Sequence, residues 1–96
     1  MLFVVTAIDK ADSLPLRLAT REAHFAYARE TGVIRLGGPF LGPKDEMAGS
    51  LIIFEAADLE AAKRWPANDP YVKAGLFAQS EVRPWKMTFN ACDAKL

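Results

Sequence analysis

The stretch Val33-Ile34-Arg35-Leu36-Gly37-Gly38-Pro39-Phe40, then Gly42-Pro43-Lys44-Asp45-Glu46-Met47, then Gly49-Ser50-Leu51-Ile52-Ile53-Phe54-Glu55, decides the fold. The first and last segments read as strands, and the middle one carries turn chemistry. So short a connection predicts an antiparallel hairpin. Its flanks set the rest. Upstream, Leu14 to Thr31 is rich in helix formers. Asp12-Ser13 can cap that helix, Pro15 falls in its first turn and Gly32 ends it. Leu14, Leu18, Phe25 and Ala28 approximate its apolar stripe. Earlier still, Leu2 to Ile8 is apolar and β-branched, as expected of a central strand buried on both faces. Downstream, Asp58 caps a helix from Leu59 to Trp65 that Pro66 is expected to stop. Asp69 opens one further turn, Pro70 to Ala74, closed by Gly75. Ser80 to Phe89 reads as the last strand, and Pro84 marks it as an edge strand or a bulge.

The predicted order is β-α-β-β-α-β, an α+β fold of ferredoxin-like type with both helices on one face of a four-stranded antiparallel sheet. The other face would be apolar and bare, so a second copy of the chain is expected to cover it, giving a homodimer. The 96 residues read as one domain, 1–96, with 90–96 as a C-terminal tail. Twelve basic residues balance twelve acidic ones, which argues against a nucleic-acid or anionic-membrane partner. Cys92 has no second cysteine to pair with, and a reduced, cytoplasmic setting follows. The apolar N-terminal run is halted by Asp9-Lys10-Ala11-Asp12, too early for a membrane span.

His24 is the one histidine, and imidazole is the side chain that exchanges protons near neutral pH. As a general base it would take a proton from carbon or hydroxyl and return it as an acid. On pattern alone it reads as well as a surface or core histidine. Asp69, before Pro70, has the form of an N-cap; the same carboxylate can also orient an imidazole. Arg21 lies three residues before His24 and four after Arg17. A guanidinium there can grip an anionic or enolate-like group through a forked pair of hydrogen bonds, although Arg17 fits a solvated helix face better. Gly37-Gly38-Pro39 lacks the spacing of a dinucleotide loop; it permits close approach of a ligand, or forms a plain β-bulge. Ser50 places a hydroxyl at the start of the next strand, and Tyr71 is the aromatic best placed to touch a ligand. One histidine and one distant cysteine make a poor metal set. No flavin, haem or nucleotide signature is present, so any chemistry is expected to need no cofactor.

Several strings in this order resemble the YCII-related family. They are Asp9-Lys10-Ala11-Asp12-Ser13, Arg17-Leu18-x-x-Arg21-x-Ala23-His24, Gly37-Gly38-Pro39, Gly49-Ser50, Leu59-Glu60-Ala61-Ala62, Asp69-Pro70-Tyr71 through Phe77, and Val82-Arg83-Pro84-Trp85. The resemblance spans Met1 to about Phe89 and implies a dimeric α/β-barrel. It also implies a His–Asp dyad, carried here by His24 and Asp69. Arg21, Gly38, Pro39, Ser50 and Tyr71 become the candidate substrate contacts. One activity known in that family removes chloride from a chlorinated hydroxyquinol. The implied function is acid–base elimination or isomerisation on a small organic, cyclic or aromatic molecule. The competing reading is a homodimeric ligand-binding module without turnover.

Overall fold

The computed structural model describes all residues from Met1 to Leu96. In chain order the elements are β1 (Leu2–Asp9), α1 (Leu14–Thr31), β2 (Ile34–Gly38), β3 (Gly49–Glu55), α2 (Leu59–Ala67), α3 (Pro70–Lys73) and β4 (Phe77–Pro84). The strands form one sheet in the order β2-β3-β1-β4, with every neighbouring pair antiparallel. This is the expected ferredoxin-like arrangement.

Strand alternation builds the core. Phe3 and Val5 of β1, and Ile52 and Phe54 of β3, point to the same side, where Ala62 and Trp65 of α2 close over them. Trp65 is the hinge of this packing. Its ring lies 4.9 Å from Phe54 and stacks on Tyr27 of α1 at 5.3 Å. Its indole N–H donates to Thr31 Oγ1 at 2.9 Å, and its carbonyl accepts from the Tyr27 hydroxyl at 2.6 Å. Both polar groups of a buried tryptophan are thus satisfied, and α1 is locked to α2.

Several expectations need correction. Strand β1 is central, but within one chain only its odd-numbered face is buried: Val4 and Thr6 are half-buried and Ile8 is exposed. The expected stripe on α1 is not its inward face. Leu18 and Phe25 are exposed, whereas Arg17 and His24 are buried. Trp65 already fills the apolar core, so α1 can turn a polar line toward the sheet. Ser13 occupies the N-cap position without a side-chain cap bond; its hydroxyl donates to Ala11 O instead. Helix α2 continues through Pro66 to Ala67, because in the last turn a proline forfeits one helical hydrogen bond and leaves the rest intact. Strand β4 begins at Phe77 and ends at Pro84, earlier at both ends than expected, with Phe77 paired to Asp9. It is an edge strand, as Pro84 implied. The irregularity in β2 falls between Ile34 and Leu36, while Gly37 and Gly38 stay in register with Ile52 and Leu51. Other signals hold: Gly32 adopts φ +62° at the end of α1, and the Asp58 side chain accepts from Ala61 N–H at 2.8 Å.

At Gly49, β3 leaves no room for a side chain against β1. A Cβ there would sit 2.4 Å from Ala7 O and 3.0 Å from the Phe40 ring, whereas one at Gly38 would meet nothing within 4 Å. Gly49→Ala is expected to lower the unfolding free energy by about 1–3 kcal/mol, the usual cost of overpacking. Gly38→Ala is expected to stay within about 0.5 kcal/mol of wild type. Urea denaturation of the two variants distinguishes them.

Candidate active site

Arg17, His24 and the intervening Thr20 stand on one line of α1, two turns long, that faces β3 and α3. Helix α3 presents Asp69 at its N-cap and Tyr71 in its first turn. Strand β3 presents Ser50, and the end of β1 presents Asp9. These side chains meet around a cavity of about 220 Å³, lined by Arg17, Arg21, His24, Gly38, Pro39, Ser50 and Tyr71 together with apolar groups such as Phe25, Met47 and Ile52. A larger groove of about 480 Å³ runs between α2 and β4, but no histidine lines it and its one charged residue is Lys63.

Asp69 holds the site together. Its Oδ1 accepts the backbone N–H of Tyr71 at 2.9 Å, the cap bond of α3. The same carboxylate receives His24 Nδ1, at 2.9 Å from Oδ1 and 3.0 Å from Oδ2. Cap and imidazole thus share Oδ1, rather than taking one oxygen each. An ionised carboxylate only accepts, so Nδ1 carries the hydrogen, and in neutral His24 the lone pair is on Nε2. Nε2 has no protein partner, and no buried side-chain nitrogen or oxygen in the molecule is left unpartnered, so Nε2 opens onto the cavity. The imidazole stacks on the Tyr71 ring, with centroids 4.2 Å apart and planes 18° apart. His24 is therefore fixed both in its plane and along its Nδ1 bond.

Arg17 corrects the sequence reading most sharply, for it is buried rather than on a solvated face. Its Nε donates to Asp9 Oδ2 at 2.7 Å, and its Nη2 donates to Asp9 Oδ1, Gly49 O and Ser50 Oγ, each at 2.9 Å. Its Cζ sits 4.7 Å from the centre of the Tyr71 ring. Burial works against the guanidinium charge, but the hydrogen bond and charge of Asp9 outweigh it, and Arg17 ends above an ordinary arginine. The Tyr71 phenol is pushed up, mainly by burial, with Asp69 adding to the shift and Arg17 and Arg21 opposing it. Tyr71 is thus a neutral donor at physiological pH. Tyr27 is also raised, by burial and then by Asp69. Arg21, at the exposed rim, lies 5.4 Å from the Phe25 ring.

Six of the seven expected site residues line one cavity, and Asp69 stands behind His24. Arg17 and Asp9 join the site without standing among the expected residues, and the i, i+7 spacing of Arg17 and His24 is the sequence signal for the first, since it puts both on one helix face. No three His, Cys, Asp or Glu side chains are grouped to hold a metal ion. No helix is long and apolar enough to cross a membrane.

A ferredoxin-like chain with a buried His–Asp pair at the wall of a small cavity is the class that fold and site define. The YCII-related domain profile matches residues 1–86, and the chain belongs to that family. It is 41% identical to Protein YciI of Escherichia coli O6:H1 (strain CFT073) over 98 aligned positions, covering 93% of this chain and all of that protein. An uncharacterized protein of Haemophilus influenzae (strain KW20) is 37% identical with the same coverage. Among solved structures, 5-chloro-2-hydroxyhydroquinone dehydrochlorinase from Burkholderia phenoliruptrix AC1100, in complex with 2,5-dihydroxybenzoquinone, superposes with a TM-score of 0.84. It is 37% identical, with 92% of this chain and 96% of that one covered. An antibiotic biosynthesis monooxygenase, at 17% identity and TM-score 0.58, shares the fold alone.

The two raised phenols carry a stability signature. Each is held protonated in the folded protein beyond the pH at which it ionises in the unfolded chain. Their contribution is complete below about pH 10 and is lost as pH rises past it. Thermal melts between pH 8 and 11 are expected to show this decline, and the Tyr27→Phe/Tyr71→Phe pair is expected to flatten it.

Proposed function

We propose that this protein is a cofactor-independent enzyme in which His24, oriented by Asp69, performs acid–base elimination on a small hydroxylated ring compound. The observation that carries the reading is the single orientation of His24: Nδ1 on a buried carboxylate, Nε2 open to the cavity. Size supports the substrate class. A cavity of about 150 Å³ accepts benzene, so 220 Å³ suits one substituted ring. The likeness to a dehydrochlorinase with a bound hydroxyquinone supports the same class.

For a chlorinated hydroxyquinol the steps balance without an oxidant. Neutral His24 takes the proton of a ring hydroxyl at Nε2 and returns it to the neighbouring chlorine-bearing carbon, leaving a ketone. Loss of the proton from the hydroxyl para to that ketone then expels chloride. The ring becomes a hydroxyquinone, and one proton and one chloride are released. Asp69 stabilises the imidazolium formed in between. Arg21, Ser50 and Tyr71 contact the ring oxygens, and Gly38 and Pro39 give the ring a wall without bulky side chains.

Chloride release from 5-chloro-2-hydroxyhydroquinone tests the proposal. His24→Ala is expected to lower kcat/KM by about 10²–10⁴-fold, the usual yield of positioned proton transfer. Asp69→Asn keeps a capping oxygen and is expected to lose at least about 10-fold. Equal rates in wild type and His24→Ala remove His24 from the mechanism. Ligand binding without turnover favours the binding-module reading.

The same proposal includes a homodimer joined through the sheet. Opposite the helices, β1, β2 and β3 turn out Val4, Ile8, Leu36 and Leu51, around an Ile53 that is already buried within the single chain. Ile8 and Leu36 are exposed in the single chain. A second copy laid on this face would remove that apolar surface from water. Sedimentation is expected to give twice the 10.6 kDa chain mass. Ile8→Glu/Leu36→Glu is expected to shift it toward one chain with the fold retained.

A further inference from the structure

We infer that Arg17 is an anion-recognition residue of the cavity, so that the cavity selects small ring ligands carrying an ionised oxygen. The inference rests on the reading of this cavity as the ligand site and adds what the ligand must present.

Arg17 is only 3% exposed, and its bonds are unevenly spent. Nε and Nη2 serve Asp9, Gly49 O and Ser50 Oγ. Nη1, with two N–H donors, makes none of these bonds, and the further side-chain hydrogen bond of Arg17, to the Tyr71 phenol, lies in the cavity wall itself. Every fully buried polar side-chain atom in the molecule has a partner, so Nη1 is accessible, and Arg17 lines the 220 Å³ cavity. Buried, unspent guanidinium donors are satisfied best by an anionic oxygen.

The surrounding groups agree. The cavity walls hold two guanidinium side chains, Arg17 and Arg21, and no aspartate or glutamate. The carboxylates of Asp9 and Asp69 stand behind the groups they hold. Ser50 Oγ accepts from Arg17, so its own proton is free to be donated into the cavity. Tyr71, kept protonated, adds a phenol touching both His24 and Arg17. The walls are rich in donors, and their one acceptor suited to proton transfer is His24 Nε2. A phenolate or enolate oxygen at Arg17 and Ser50 fits this set, with the proton that moves left to His24. Asp9 acts as a positioning residue, because its forked pair with Nε and Nη2 is what aims Nη1.

Equilibrium binding, read by calorimetry near neutral pH, tests this without turnover. The probes are 2,5-dihydroxybenzoquinone, which ionises, and 2,5-dimethoxybenzoquinone, which does not. Wild type is expected to bind the first at least about 10-fold tighter, the scale of one charge-assisted hydrogen bond. Equal affinity overturns the inference. Arg17→Met/Asp9→Leu removes the pair without stranding a buried carboxylate. It is expected to lose about 10- to 100-fold of the affinity for 2,5-dihydroxybenzoquinone and most of the discrimination. Unchanged affinity and discrimination in a cooperatively melting double variant overturn it. If that variant does not fold, Arg17→Lys decides: an ammonium cannot both fork to Asp9 and reach the cavity, so a loss of about 10-fold is expected and wild-type affinity overturns the inference. His24→Ala is expected to keep the discrimination. Discrimination without turnover in wild type would sink the elimination reading alone; turnover without discrimination would sink the anion site alone.

Discussion

The carboxylate of Asp69 does two jobs across 45 residues of chain. It caps the one-turn helix α3 and grips the imidazole of His24 on α1. Either contact alone is ordinary. A cap contributes about 1 kcal/mol, and a histidine beside an acid is common on protein surfaces. Made together and out of water, they turn a local helix signal into a tertiary constraint. The position of α3 and the orientation of His24 are thereby tied to each other. The stacked Tyr71 ring, one residue past the proline of that turn, completes the clamp.

The second constraint is the Arg17–Asp9 pair. It ties the end of β1 to α1 and, through Gly49 O and Ser50, to β3. Removing one member of such a buried pair typically costs about 3–5 kcal/mol, since the other charge is left stranded. A hydrophobic replacement could hold the same elements together. What it could not do is keep a charged, donor-rich wall beside the imidazole. Helix α1 therefore devotes its inward face to polar chemistry, and the task of sealing the core passes to Trp65, with Phe3 and Phe54 beneath it. This division separates an apolar core under α2 from a polar-walled cavity under α1.

Helix geometry links the two regions. Tyr27 lies three residues past His24 on the same side of α1, where its hydroxyl fastens Trp65 O and its ring stacks on the indole. One helix face thus runs from the charged wall at Arg17, through the oriented imidazole of His24, to the aromatic lock at Tyr27. The fixed orientation of His24 comes from a helix anchored on both sides of it, by Arg17 and by Tyr27. Gly49 makes the opposite side possible, since only a residue without Cβ lets β3 approach β1 closely enough to put its carbonyl and the Ser50 hydroxyl on Arg17.

The sequence by itself determined the order and type of the elements. Apolar β-branched runs, the Asp58 and Asp69 caps, Gly32 and the Gly42–Met47 turn are local signals, and local sterics and hydrogen bonding decide them. It also pointed to Asp69, Gly38, Pro39, Ser50 and Tyr71, which stand at or beside element ends, and to His24 and Arg21 within α1, the one histidine and a cation three residues from it. Only the tertiary structure decided which face of α1 turns inward. An amphipathic count assigns that face to Leu18 and Phe25. The buried choice of Arg17 and His24 depends on partners at positions 9, 50, 69 and 71, which helix periodicity does not see. The end of α2 and both limits of β4 were likewise settled by neighbours, since a proline in a last turn and a strand on an edge are tolerated or stopped by what packs against them. Charge and capping can be read one residue at a time; which lone pair faces a cavity is a property of the whole fold.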